Sequence, residues 1–143
     1  FISEYVEGPG NNNAIEIYNP TNDEINLDGY TINRYGNGSQ TPSETWPLSG
    51  SISSGDAISI GNGQLDSVYV NNTYWSLPVD PVFYSACDYH CSGVYPTPFY
   101  FNGDDAITLE KEGNKTVIER LVWEFDIDIN PRFFTPGYMK NLR

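Results

Sequence analysis

Apolar and polar residues alternate along several short segments of this chain. In residues 14–19, Ile15 and Ile17 fall on one side of an extended segment, and Glu16 and Tyr18 fall on the other. No window shows a sustained helical period, so the pattern predicts an all-β protein. The segments predicted as strands are residues 1–6, 14–19, 30–35, 57–60, 65–70, 106–110 and 116–123, with a shorter one around Trp46 and Leu48.

Clusters of Gly, Pro, Asn and Asp separate these segments, as in residues 7–13 and 36–39. The clearest hairpin joins residues 106–110 to residues 116–123 through a turn at residues 112–114. Short strands with turn chemistry between them predict a β-sandwich or barrel. We find no internal repeat and expect one domain over residues 1–143.

Residues 71–100 differ from the rest of the chain. They hold four prolines, both cysteines, the single histidine and many aromatic residues, which predicts a long irregular excursion packed on the sandwich. Rings such as Trp75, Tyr84 and Tyr89 are candidates for stacking on the sugar rings of a glycan. Aromatic side chains more often supply core or cover a sheet edge, and this alternative stays open.

The charge distribution excludes some partners. The net charge is −12, and Arg34 is the only lysine or arginine before Lys111. A nucleic-acid binder needs cations along the phosphate backbone, so we expect no direct nucleic-acid binding. Attraction to an anionic membrane surface is disfavoured for the same reason, and no run is apolar enough to span a bilayer. Because the chain starts directly in a strand-like segment, we interpret it as an excised domain or a mature fragment.

The two cysteines, Cys87 and Cys91, are only four residues apart. In a secreted chain such a pair predicts a local disulfide. A zinc site is an alternative because His90 lies between them, but structural zinc needs four ligands and the chain has no other Cys or His. Two free thiols are the third possibility.

Several segments together resemble the bacterial lamin tail domain. They are FISEYVEG at residues 1–8, Asn12-Asn13, AIEIYNPT at residues 14–21 and LDGY at residues 27–30, followed by LSGSISSGD at residues 48–56 and FNGDDAITL at residues 101–109. Residues 71–100 have no counterpart in this pattern, and the last twenty residues depart from it. The resemblance implies an immunoglobulin-like antiparallel β-sandwich. It also implies a non-catalytic accessory module of a secreted or cell-surface bacterial protein, such as a nuclease or phosphatase.

Carboxylates are dense in the segments that carry this resemblance, and calcium binds six to eight oxygen ligands. The candidate ligands are Glu4, Glu7, Glu16, Asp104 and Asp105. If the first two strands pair, Glu4 and Glu16 share a face, although surface carboxylates are more often simply solvated. Residues 126–130 are similar to the start of an EF-hand loop, but Pro131 stands where that loop needs Gly, so we reject it.

Catalytic signatures are weak. Any Ser-His-Asp arrangement must use His90, and no nucleophile-elbow motif is present. We therefore expect a non-enzymatic module whose partner is another domain of the parent chain, a surface protein or a glycan. The alternative function is calcium-dependent binding of a glycan.

Overall fold

The computed structural model describes residues 1–93, residues 95–111 and the backbone of residues 116–122. These residues form twelve strands and one short α-helix, α1, at Pro81–Ala86. The strands in chain order are β1 (Ile2–Glu7), β2 (Asn13–Tyr18), β3 (Ile25–Asn26), β4 (Tyr30–Tyr35), β5 (Glu44–Pro47), β6 (Ser51–Ile52), β7 (Ala57–Asn62), β8 (Val68–Val70), β9 (Tyr74–Ser76), β10 (Tyr89–Cys91), β11 (Ala106–Lys111) and β12 (Thr116–Val122). The turn predicted at residues 112–114 and the rejected calcium loop at residues 126–130 lie outside the described residues.

Two four-stranded sheets make up most of the fold. The first has the order β1-β2-β7-β10, and the second has the order β12-β11-β4-β5. Every pair is antiparallel except β7 and β10, which run parallel with Tyr89 opposite Ile60. The hairpin predicted from the sequence is β11 and β12, and β4 has the predicted bounds.

One apolar cluster draws on both sheets, so the sheets pack face to face. Ile15 and Ile60 come from the first sheet, Ile32 and Ile107 come from the second, and Phe99 is fully buried among them. Burial of such side chains is the main favourable term in folding. The predicted all-β, immunoglobulin-like sandwich is confirmed.

The prediction that residues 71–100 lack regular structure is wrong for much of that segment. It contains β9, α1 and β10, and β10 extends the first sheet. Asp80 is the N-cap of α1, because its side chain accepts hydrogen bonds from the backbone N–H groups of Val82 and Phe83, and Pro81 follows it. Six residues are too few to show a helical period, which explains why the pattern misses this helix.

Candidate ligand-binding cleft

An open cleft of about 360 Å³ lies beside the turn between β1 and β2. Its other walls are β9 and the segment around residues 95–101. The lining residues are Gly10, Asn11, Asn13, Tyr74, Trp75, Ser76, Leu77, Tyr95, Tyr100 and Phe101. None of these side chains is charged, although the protein carries a net charge of −12.

Amide side chains fix β9 against the sandwich. Asn11 Nδ2 donates to Ser76 Oγ at 3.0 Å and also to the carbonyl of Leu77. Gln64 Nε2 donates to the carbonyls of Ser76 and Leu77 at 2.9 and 3.0 Å. These bonds order the cleft walls before any ligand arrives, which reduces the entropy lost on binding.

Three tyrosines line one side of the cleft. The hydroxyls of Tyr74 and Tyr95 lie 2.9 Å apart, and the rings of Tyr95 and Tyr100 meet edge-on at 4.5 Å. The Tyr100 hydroxyl donates to Gln64 Oε1. The hydrogen bond to Tyr74, together with burial, raises the pKa of Tyr95 to about 12, so this phenol stays protonated at neutral pH.

Asn13 is a buried amide in the cleft wall, with 5% of its surface exposed. Its Nδ2 donates to the carbonyls of Phe99 and Phe101 at 3.1 and 2.9 Å. Its Oδ1 has no hydrogen-bond partner among the described residues. Because this oxygen is itself buried, the missing partner is a cost of about 1–3 kcal/mol inside the cleft wall, and the atom is not presented to a ligand.

Of the three aromatic residues predicted to bind a ligand, only Trp75 lines the cleft. Its ring packs at 4.9 Å from that of Tyr69, the residue opposite it on β8, and 60% of Trp75 is exposed. Tyr84 stacks on His90 at 3.6 Å, and its carbonyl lies 2.7 Å from His90 Nε2. Tyr89 lies on β10 and, like Tyr84, does not line the cleft.

The sequence did not single out the residues that accompany Trp75 in the cleft. Tyr74, Tyr95 and Tyr100 belong to the aromatic segment, whereas Asn11 and Asn13 belong to a turn more than sixty residues earlier. The high aromatic content and the asparagine-rich turn were visible as separate signals. Only the tertiary fold joins them.

The five predicted calcium ligands do not gather at one point. Glu4 and Glu16 are opposite each other on β1 and β2, and Glu16 accepts a hydrogen bond from Ser3 at 2.7 Å. Glu7 accepts one from the Tyr5 hydroxyl at 3.0 Å. Within residues 1–93 and 95–111, no group of three His, Cys, Asp or Glu side chains is placed to hold a metal ion.

The other two predicted ligands, Asp104 and Asp105, follow the aromatic segment. Asp104 is exposed, whereas Asp105 is buried and accepts from Arg34 Nη1 at 3.1 Å. Arg34 also binds Glu44 at 2.5 Å and donates to the carbonyl of Tyr100. Burial alone would lower the pKa of Arg34, but its bonds and charge interactions with Glu44 and Asp105 outweigh burial and raise that pKa. Asp105 is therefore the partner of Arg34 in a buried ion pair.

The disulfide predicted between Cys87 and Cys91 is not formed, because the structure has both residues as free thiols. Cys87 follows α1 as its C-cap, and its Sγ lies 3.7 Å from the carbonyl of Phe83. Cys91 lies buried in β10, where burial raises the pKa of its thiol to about 12. Burial, followed by the charge of Asp88, also raises the pKa of Cys87. Both thiols are therefore poor nucleophiles at neutral pH.

Comparison with known proteins identifies one family. A sequence model of the Lamin Tail Domain matches residues 1–124, which is most of the chain. No curated protein and no solved structure gives a match. Among the described residues, no helix is long and apolar enough to cross a membrane. The family match agrees with the observed sandwich of two β-sheets, and the chain belongs to the lamin tail domain family.

Proposed function

We propose that this domain is a non-catalytic accessory module, which attaches or positions a secreted or cell-surface protein such as a nuclease or phosphatase. Membership of the lamin tail domain family over residues 1–124 is the observation that carries this proposal. The fold alone does not define a function, so the proposal also depends on the environment of the reactive side chains.

Three reactive groups among the described residues have structural partners. His90 is stacked on Tyr84 and hydrogen-bonded to its carbonyl, which holds the imidazole in place. The thiol of Cys91 has a pKa of about 12 because of burial. The carboxylate of Asp105 is held by Arg34 and by the backbone N–H groups of Asn37 and Asn102. These arrangements support a structural role for each group.

An attachment assay and a turnover assay test the proposal together. Residues 1–143, fused to a fluorescent protein, are expected to be retained on cell-envelope preparations more than the fluorescent protein alone. The isolated domain is expected to leave a phosphodiester, a phosphomonoester and plasmid DNA uncleaved. Sustained turnover of any of these after purification controls, or retention no greater than that of the fluorescent protein alone, would overturn the proposal.

The alternative function is calcium-dependent binding of a glycan. The uncharged aromatic cleft beside β9 favours the glycan-binding part of this alternative. Calcium dependence stays a prediction from the sequence. A specific calcium ion bound only by the native state raises the melting temperature, so melting curves in millimolar calcium and in chelator decide this point. Coincident curves would remove the calcium prediction.

A further inference from the structure

The lining of the cleft combines flat aromatic rings with uncharged polar groups. Tyr74 and Trp75 supply exposed rings, Tyr100 supplies a half-buried ring, and Asn11 supplies an amide. A sugar ring presents an apolar C–H surface together with hydroxyl groups at its rim. Aromatic side chains pack on surfaces of the first kind, and amides and phenols form hydrogen bonds with groups of the second kind. A volume of about 360 Å³ is at the small end of the range for ligand pockets, roughly 300–1,000 Å³.

Two phenol hydroxyls of the cleft keep hydrogen-bonding capacity for a ligand. The hydroxyls of Tyr74 and Tyr95 share one hydrogen bond of 2.9 Å. One phenol donates in that bond, so the O–H of the other remains a donor for a ligand. A sugar hydroxyl both donates and accepts, so it can accept a hydrogen bond from this phenol.

Charge selects among carbohydrates. Arg34 is the only lysine or arginine before Lys111, and it is bound to Glu44 and Asp105, so this group of three side chains has a net negative charge. Among the residues that the structure describes, no cation lines the cleft to receive a carboxylate or a phosphate. A uronic acid or a phosphorylated sugar would therefore lose hydration without gaining a counter-charge.

We propose that this cleft binds a ring of a neutral carbohydrate, and that the domain thereby attaches its parent protein to a neutral polysaccharide. Attachment of the parent protein rests on the proposed accessory function, whereas binding of a carbohydrate ring depends only on the lining of the cleft.

Calorimetric titration of the 143-residue chain with defined oligosaccharides tests the proposal. The neutral probes are oligomers of β-1,4-glucose, α-1,4-glucose, xylose and N-acetylglucosamine, and the anionic probe is oligogalacturonate. We expect at least one neutral oligomer to bind and oligogalacturonate to bind more weakly. Tyr74→Ala is expected to weaken binding about tenfold, whereas Tyr74→Phe keeps the ring and weakens it less.

Tyr89→Ala is the matched control, because Tyr89 is another half-exposed tyrosine (44%, against 51% for Tyr74) that does not line the cleft. This control should bind like the unchanged chain, and thermal melting checks that each variant is folded. The proposal is overturned if no neutral oligomer binds, if Tyr74→Ala binds as well as the unchanged chain, or if oligogalacturonate binds most tightly.

The same titrations separate this proposal from the accessory function. New reducing ends, measured after each titration, would reveal cleavage of the sugar and would refute the non-catalytic function. Absence of both binding and cleavage would refute only the carbohydrate ligand. Retention of the fluorescent fusion on cell envelopes would then stand as attachment through another chemistry.

Discussion

Asp105 and its neighbour Asp104 allow a sharp test of the buried ion pair. The side chain of Asp105 is 1% exposed, and its oxygens accept from Arg34 at 3.1 Å and from the backbone N–H groups of Asn37 and Asn102 at 3.0 Å each. Asp105→Ala removes all three bonds and leaves two backbone donors and part of a guanidinium without partners. Asp104 is exposed and serves as the matched control.

The expected loss of stability on Asp105→Ala depends on the bonds that Arg34 keeps. Removing one partner of a buried ion pair costs about 3–5 kcal/mol. Arg34 keeps Glu44 at 2.5 Å and the carbonyl of Tyr100 at 2.7 Å, which favours the low end of that range. We therefore expect Asp105→Ala to lower the free energy of unfolding by about 3 kcal/mol, or the melting temperature by roughly 10 °C. Asp104→Ala is expected to change the free energy of unfolding by less than about 0.5 kcal/mol.

Urea unfolding followed by circular dichroism measures both variants. Asp105→Asn, which keeps the shape but not the charge, should fall between Asp105→Ala and the unchanged chain. The result that refutes the reasoning is a cost of Asp105→Ala below about 1 kcal/mol and equal to that of Asp104→Ala, since a buried pair should not behave like a surface group.

Three further predictions concern stability and the thiols. Asn19→Ala should lower the free energy of unfolding in urea by about 3 kcal/mol, because the two N–H groups of buried Asn19 Nδ2 are shared among three backbone carbonyls within hydrogen-bond distance. A loss below about 1 kcal/mol would contradict this. A thiol reagent should react with both Cys87 and Cys91 in the unfolded, unreduced chain, and should react slowly with both in the folded chain. If the unfolded chain has no reactive thiols, the two cysteines form the disulfide predicted from the sequence. Hydrogen bonds from Ser59 lower the pKa of Asp88, so the stabilisation that Asp88 contributes is present above the ordinary carboxyl pKa of 3.8 and is lost as pH falls through the lower folded pKa. Asp88→Asn should therefore make the urea midpoint less dependent on pH in acid. An unchanged pH dependence would exclude this contribution.

The sandwich was predictable because its signals are local. Alternation of apolar and polar positions predicts a strand at residues 30–35, and the structure has β4 at Tyr30–Tyr35. The pairing of β7 with β10 was not predictable, because a parallel contact between Ile60 and Tyr89 depends on the path of the chain between them. The start of α1 did carry a local signal, since Asp80 and Pro81 suit the N-cap and first position of a helix.

The candidate site was predictable only in its chemistry. Trp75 is in the cleft, as a search for exposed aromatic rings would suggest, but Tyr84 is used to hold His90. The sequence cannot distinguish the environments of these two aromatic residues, because each depends on contacts across the fold. Asp105 illustrates the same limit, since carboxylate density predicts a calcium ligand where the structure has an ion pair with Arg34.

The position of Arg34 links the stability of the domain to the ligands that it can accept. Its guanidinium joins β4 to β5 and to the segment just before β11. The only lysine or arginine of residues 1–110 is therefore engaged in ion pairs within the fold. The surface of that part of the chain is left with carboxylates, which favour solubility and repel anionic ligands. An anionic ligand is therefore disfavoured, whereas a neutral ligand can be recognised through aromatic rings and uncharged hydrogen-bonding groups. The cleft beside β9 supplies both through Tyr74, Trp75 and Tyr95.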